Sequence, residues 1–390
     1  MKLLKNLLSI TAVIALTANV VSLDASASIK IAEVPVKYVR SAETRYFDTA
    51  ESLAGYIREK MTDRVEIIEF SVPADWDGRE TVGQVLRDST IETDKANQGD
   101  YLRKSINFVE YSIGQYENDI TITFNIDYNT TAQQEKLVDK KITEILTELD
   151  IRNKGEYEKI SAIYNYIINN VTYNLNTENN LKYTAYGALY NGEAVCQGIS
   201  QLFYRMAKEA GISCRMIVGD AGGPHAWNIA SIDGLYYLLD PTFDLYFSKT
   251  ADCKYFLRGT EDFDEYNKKI THVEASSAQE LSNLDYDYSS ESFRTEYPIS
   301  DTKFVPKCKM GDLNDDRLID SVDVSAILQA YAMLSTENSS GLTETQESVS
   351  DINGDGHINS VDASMVLQYY SYISTEEYIE PDKFFKEKVI

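Results

Sequence analysis

The stretch "GEAVCQGISQLFYRMAKEAG", residues 192–211, decides how the centre of this chain is read. Val195, Ile199, Leu202, Phe203, Met206 and Ala210 recur at helical spacing, and Gly211 supplies the stop. Cys196 therefore falls in the first turn of an amphipathic helix, where unpaired N–H groups and the helix dipole favour a thiolate. Its own N–H is then placed to stabilise an oxyanion. Most free buried cysteines are only packing residues, so the neighbours must decide.

Downstream, "ISCRMIVGD" (212–220) reads as a strand and "PHAWNIASIDGLYYLLDPTFD" (224–244) as a β-hairpin turning at Asp233-Gly234. With those two residues as the turn, Ile232 faces Leu235 and, counting outward, His225 faces Thr242. Asp240 is then the diagonal neighbour of His225 on the same face, roughly 7–8 Å away at the backbone and within side-chain reach. The chain has only three histidines. His357 belongs to an acidic loop near the C-terminus and His272 sits in an unpatterned segment, so His225 is the histidine with an acid beside it. Cysteine, histidine and aspartate thus follow one another in the order helix, strand, strand.

These residues, "TAYGALYNGEAVCQGISQLFYRMAKEAGISCRMIVGD", "HAWN" and "LLDPTFD", resemble the transglutaminase-like superfamily of cysteine enzymes, whose core is papain-like. The helix "YEKISAIYNYIINNVTYN", with Ile160, Ile163, Tyr164 and Ile167 on one face, is similar to the one that precedes that core in bacterial members. The resemblance covers about 155–245. It implies Cys196 as nucleophile, His225 as general base and then acid, and Asp240 as the group that orients the imidazole. Acyl transfer from an amide through a thioester is the expected chemistry, with Gln197, Trp227 and Tyr173 as candidates to shape the oxyanion site or cleft. Water as acceptor makes a protease or amidase acting on peptide or protein. An amine acceptor makes a cross-linking transglutaminase, and a silent fold makes a binding protein. Hydrolysis is the favoured reading.

At the C-terminal end, "GDLNDDRLIDSVDVSAILQAYA" (311–332) and "SDINGDGHINSVDASMVLQYYS" (350–371) align without gaps at an offset of 39 residues, Asp312 to Asp351. Each places oxygen donors at loop positions 1, 3, 5, 9 and 12, with a backbone carbonyl at 7, the spacing that wraps hard oxygens around Ca²⁺. The donors are Asp312, Asn314, Asp316, Leu318 (carbonyl), Asp320 and Asp323, and Asp351, Asn353, Asp355, His357 (carbonyl), Asn359 and Asp362. Arg317 stands where a loop glycine is usual, while Gly356 keeps it. Each loop leads into a helix whose apolar stripe (Val324, Ile327, Leu328, Tyr331; Ala363, Val366, Leu367, Tyr370) is expected to bury against the other. The pair resembles a type I dockerin. That resemblance implies two structural calcium ions and binding to a scaffoldin cohesin through Ser321, Val322, Gln329, Ser360, Val361 and Gln368.

The remaining features set context. Lys2 and Lys5, an apolar run from Leu7 and Ala25-Ser26-Ala27 follow the signal-peptide pattern, with a single membrane anchor as the alternative. Export, secretion to a cellulosome-type assembly and no membrane contact after cleavage are the expectations. Export permits disulfides, and a Cys214–Cys253 bridge is left open by the spacing. A net charge of -25 argues against nucleic acid, whose phosphates demand basic patches. The expected organisation is a signal peptide (1–27), an N-terminal α+β region (28–150), a papain/transglutaminase-like α+β core (151–275), a Ser/Asp/Tyr-rich linker (276–308), a small all-α dockerin (309–375) and a tail (376–390).

Overall fold

The computed structural model describes residues 29–36, 44–116, 118–175, 179–247, 253–266, 270–275, 287–305, 310–314, 318–337, 339–375 and 379–388. The expected signal peptide, Cys308 and the loop ligand Asp316 lie outside these residues. The chain divides into two compact units, one from residues up to Leu149 with Lys159–Thr302, the other from Asp150–Glu158 with Lys303–Ile390. No helix among the described residues is long and apolar enough to cross a membrane.

The first unit opens with β1 (Lys30–Glu33), β2 (Arg45–Tyr46), α1 (Ala50–Thr62), β3 (Ile67–Pro73), α2 (Gly78–Ser89), α3 (Gly99–Lys104), β4 (Ile106–Gln115) and β5 (Asp119–Tyr128). The strands form one sheet in the order β1-β4-β5-β3-β2, with β5 antiparallel to both β3 and β4. Period-two alternation gives the sheet an apolar face (Ile68, Phe70, Val72, Ile122, Phe124), and Leu53, Ile57 and Met61 of α1 with Val82, Val85 and Leu86 of α2 share its core. Helix α4 (Ala132–Glu148) begins at a capping box between Thr131 and Gln134. Helix α5 (Glu156–Asn170) buries Ile160, Ile163, Tyr164 and Ile167, the stripe expected from its spacing.

Short strands β6 (Thr172–Tyr173) and β7 (Glu193–Ala194) pair in parallel just before α6 (Cys196–Glu209). Then come β8 (Cys214–Asp220), β9 (Pro224–Ile232), β10 (Leu235–Leu239), α7 (Pro241–Phe247) and β11 (Val273–Glu274), with the sheet ordered β10-β9-β8-β11. The β9–β10 register runs from Ile232↔Leu235 to Asn228↔Leu239, as counted from the Asp233-Gly234 turn. Beyond Leu239 the expected hairpin stops. Proline cannot donate to a strand ladder, and its fixed φ and missing N–H suit the first position of a helix. Helix α7 accordingly begins at Pro241.

The expected linker also differs. Residues 287–302 belong to the first unit: Tyr288, Phe293 and Tyr297 around α8 (Glu291–Glu296) are buried in the core cluster that contains Cys196. Polar composition hides three aromatic residues that pack.

In the second unit, α9 (Ser321–Glu337), α10 (Glu344–Ser350), α11 (Ser360–Ile373) and α12 (Pro381–Lys388) surround Leu313, Ile327, Ile352, Val366 and Tyr369. The stretch expected as a tail contributes α12, whose Phe384 and Phe385 enter this core. The stripe expected to be buried is split: Ile327 and Val366 are inside, whereas Leu328, Tyr331, Leu367 and Tyr370 are exposed.

Candidate active site

Helix α6 is buried on nearly every side, from Cys196 to Ala207. A helix so enclosed must satisfy its polar side chains internally. Ser200 Oγ donates to Ala226 O at 2.9 Å, and Tyr204 Oη to Glu92 Oε2 at 2.8 Å. Gln197 and Gln201 both donate to the carbonyl of Lys104, at 3.1 and 3.0 Å. The N-terminal region therefore buttresses the helix that carries the cysteine. Arg215 of β8 adds a second tie, with Nε 2.7 Å from Asp100 Oδ2 at the start of α3. Gly198 lies where a Cβ would stand 2.5 Å from Lys182 O, so the 182–184 segment can press on the first turn of α6 only because that side chain is absent.

Cys196 occupies that first turn with Val195 as N-cap, and both are fully buried. His225, on β9 opposite Gly219, is within hydrogen-bond reach of the cysteine. Its Nε2 lies 2.7 Å from Asp240 Oδ2. Asp240 precedes α7, and its Oδ1 accepts the Phe243 N–H at 3.1 Å in the manner of an N-cap. Burial works against a charged His225, but Asp240 and Cys196 outweigh it and push the imidazole up to about 10. Burial likewise opposes the Asp240 charge; His225 and His272 overcome this and hold the carboxylate well below its ordinary range. Trp227 stacks on His225 with ring centroids 6.0 Å apart, and its indole N–H has no hydrogen-bond partner among the described residues.

The structure also brings in a residue that periodicity does not reveal. His272 Nε2 is 3.0 Å from the same Asp240 Oδ2, and its Nδ1 is 2.6 Å from Asp264 Oδ1. It arrives because β11 pairs with β8 at Gly219 and Asp220. A Cβ on Gly219 would lie 2.0 Å from Val273 O and 2.8 Å from the Trp227 ring, so this close docking requires glycine. The one mark of His272 in the sequence is an acid eight residues earlier. The donor atoms of His225, Asp240 and His272 lie within 4.8 Å of one another, a set that could hold a metal ion, but 2.7 and 3.0 Å separations are those of shared protons.

Other expectations fare differently. Gln197 donates its amide N–H to Lys104 O and Tyr183 O. Tyr173 packs against the cluster holding Cys196. Cys196, Cys214 and Cys253 are all reduced thiols, so the Cys214–Cys253 bridge is not formed. Thr242, expected opposite His225 in a strand, is in the first turn of α7.

In the second unit, Asp323 Oδ1 accepts the Leu313 N–H at 2.7 Å, and Asp362 Oδ1 accepts the Ile352 N–H at 2.9 Å. Each carboxylate closes its loop from position 12. In the second loop Asp351 accepts from the Asp355 and Gly356 amides, and Asn353 Oδ1 from Asp355, so the donors gather around one turn. Gly354 and Gly356, at φ +70° and +81°, permit that turn. The donor set is all oxygen and fits a hard cation. Ser321, Val322, Gln329, Ser360, Val361 and Gln368 are all exposed.

Residues 144–241 match the Transglutaminase-like superfamily, and residues 310–370 the Dockerin type I domain. The chain carries a transglutaminase-like core and a type I dockerin. Among solved structures it is similar to a TGase (17% identity, 53% of this chain and 57% of that one, TM-score 0.28). It is also similar to a candidate cysteine protease from Cytophaga hutchinsonii (17% identity, 34% and 62%, TM-score 0.24). A third is a candidate protease from Parabacteroides distasonis (14% identity, 45% and 43%, TM-score 0.19). The chain spans less than two thirds of the length of each. No curated protein matches. The transglutaminase-like core thus contains α5 to β10, and the dockerin both loops and α9 to most of α11.

Proposed function

We propose that this chain is an exported cysteine hydrolase in which Cys196 attacks a peptide or side-chain amide, His225 moves the proton and Asp240 orients His225. The observation that carries this reading is one imidazole held between a helix-start cysteine and a buried carboxylate. In the first half-reaction, Cys196 sulfur bonds to the carbonyl carbon, the C–N bond breaks, and the proton on His225 leaves with the amine. Water then attacks the thioester carbonyl and gives one proton to His225; the C–S bond breaks, the acid leaves, and Cys196 sulfur is restored. In this reading the Cys196 backbone N–H, in the first turn of α6, donates to the oxyanion.

The dockerin is read as the attachment module. Calcium, held by the two loops, would supply the charge that lets their carboxylates converge. Cohesin would meet Ser321, Val322 and Gln329 or their counterparts Ser360, Val361 and Gln368. Exposure of Leu328 with Tyr331, and of Leu367 with Tyr370, extends the same apolar strip along α9 and α11.

The test is mass spectrometry of a peptide library incubated with the chain, with and without a primary amine, and with Cys196→Ala as control. New carboxyl termini or deamidated glutamines that vanish in the control support hydrolysis. Amine adducts would move the assignment to transamidation. No Cys196-dependent product would overturn the enzyme reading.

A further inference from the structure

Resting on the nucleophile reading above, the geometry points to a longer charged array. We propose that His272 is a positioning residue of the site, an imidazolium clamped between Asp264 and Asp240 that fixes Asp240 on His225 and sets the charge balance of the Cys196–His225 couple.

Each ring nitrogen of His272 meets a carboxylate. Nε2 faces Asp240 Oδ2 at 3.0 Å and Nδ1 faces Asp264 Oδ1 at 2.6 Å. A neutral imidazole has one N–H, so its other nitrogen would turn a lone pair on a carboxylate oxygen. Asp264 meets this residue twice, since its Oδ2 also accepts the His272 backbone N–H at 2.9 Å. Asp240 is held as a carboxylate by its neighbours, with Oδ2 facing both imidazoles and Oδ1 accepting an amide. Two carboxylates flanking one ring are best met by two N–H groups, so we assign both nitrogens of His272 as donors and the ring as a cation.

Its surroundings agree. The rings of Phe263, Phe243, Trp227 and Tyr255 lie 4.4, 4.7, 5.1 and 5.9 Å from it. All four are tilted or perpendicular to the imidazole, so they enclose it without a stacked partner. Burial pushes His272 towards neutrality, but its bonds to Asp240 and Asp264 prevail and raise it. The other titratable groups facing it are His225, whose ring centroid is 5.6 Å away, and Tyr255, a phenol that burial pushes up to about 12 and keeps neutral.

The consequence concerns the couple. Outward from the cysteine, proton-binding and carboxylate groups alternate: Cys196, His225, Asp240, His272, Asp264. A fixed positive charge beyond Asp240 trims the pull of that carboxylate on His225 and makes proton loss from the couple easier. Without it, the protons of the couple are held more strongly. The pH range of the thiolate–imidazolium pair should then move upward at both ends, by about one pH unit for a like charge this near. A residue with only a packing role would lower activity without moving either end.

The experiment uses the full chain labelled with ¹⁵N-histidine, in which only three imidazoles need assignment. His272 is expected to show two protonated ring nitrogens at pH 7 and to lose one in Asp264→Asn. Far-ultraviolet thiolate absorbance against pH, with Cys196→Ala as blank, should shift upward by about one unit in His272→Gln. A single neutral tautomer of His272 in the wild-type chain overturns the proposal, whether or not His272→Gln folds. A wild-type Cys196 thiolate whose profile is unmoved in His272→Gln sinks the proposal alone. A wild-type chain lacking that thiolate while His272 is doubly protonated sinks the nucleophile reading and the role of His272 with it.

Discussion

Asp240 in the first unit and Asp362 in the second are both fully buried carboxylates, and they answer burial in different ways. Asp240 gives one oxygen to two imidazoles and the other to a backbone amide. Asp362 gives both oxygens to backbone amides, those of Ile352, Asn353 and Asn359. Amides do not titrate, so the partners of Asp362 keep their protons whatever the pH, and of these bonded groups only Asp362 itself titrates, raised by burial. Imidazoles do, so every property of the Asp240 cluster is tied to proton occupancy. The same side chain is tied to fixed amides in one place and to titrating imidazoles in the other.

The contrast is tested most severely at the sulfur. Cys196→Ala should reduce turnover by at least about a thousandfold, as loss of a covalent nucleophile does, while circular dichroism and the melting profile remain those of the wild type. Retained activity would falsify the mechanism. Asp240→Asn comes next. It keeps the N-cap acceptor for Phe243 but leaves buried histidines without their charge, a loss of roughly 3–5 kcal/mol when one partner of a buried pair is removed. Urea unfolding should register it.

That loss should depend on pH. His225 is raised in the folded chain to about 10, so its contribution is complete below the unfolded histidine value of about 6.5 and fades as pH climbs towards 10. Asp240 is depressed, so its contribution is present above the unfolded value of about 3.9 and fades as pH falls through its lower folded value. The gap between wild type and Asp240→Asn should be widest between those limits and narrow on either side. A gap that stayed constant up to pH 10 would show that His225 is not the titrating partner.

The two halves also differ in how openly their sequence declares them. The dockerin loops repeat, so donor spacing can be checked twice, and the exposed phase of Ser321 and Val322 matches that of Ser360 and Val361. The hairpin register follows from Asp233-Gly234 because turn geometry fixes pairing locally. Pro241 is the signal for α7 that strand counting overruns. His272 is illegible for another reason: it reaches the site through β11, a two-residue strand at a sheet edge, and so short an element has no period. The aromatic residues near 288–297 are masked by polar neighbours, since composition averages over the positions that pack. Leu328 and Tyr331 mislead because an apolar stripe on a small helix can serve a partner as well as a core.

In the second unit the closure of each loop sets the next effect. Asp362→Ala removes three accepted amide bonds from a fully buried position, and leaving buried donors unsatisfied costs about 1–3 kcal/mol. Burial raises the Asp362 carboxyl above its ordinary value, so the comparison belongs well above the carboxylate range. Calcium titration followed by calorimetry should show weaker binding at one loop, by nearly the same shift at about pH 7 and about pH 9. A pH-dependent shift of the kind expected for Asp240 would erase the contrast between the two carboxylates.

The smallest effect is expected from half of the duplicated surface. Ser321, Val322, Leu328 and Tyr331 repeat at Ser360, Val361, Leu367 and Tyr370, on helices that expose the same phase. If cohesin accepts either set, each presents a complete footprint, and two equivalent orientations add in the association constant. Replacing Ser321 and Val322 together by Asp residues should then remove one orientation and weaken binding only about twofold, a few tenths of a kcal/mol. The matching change at Ser360 and Val361 should do the same alone, whereas the combination should abolish binding, which surface plasmon resonance on an immobilised cohesin can follow. Loss of all binding from the Ser321 and Val322 change by itself would make the duplication a matter of folding two calcium loops against each other, with one face only for the partner.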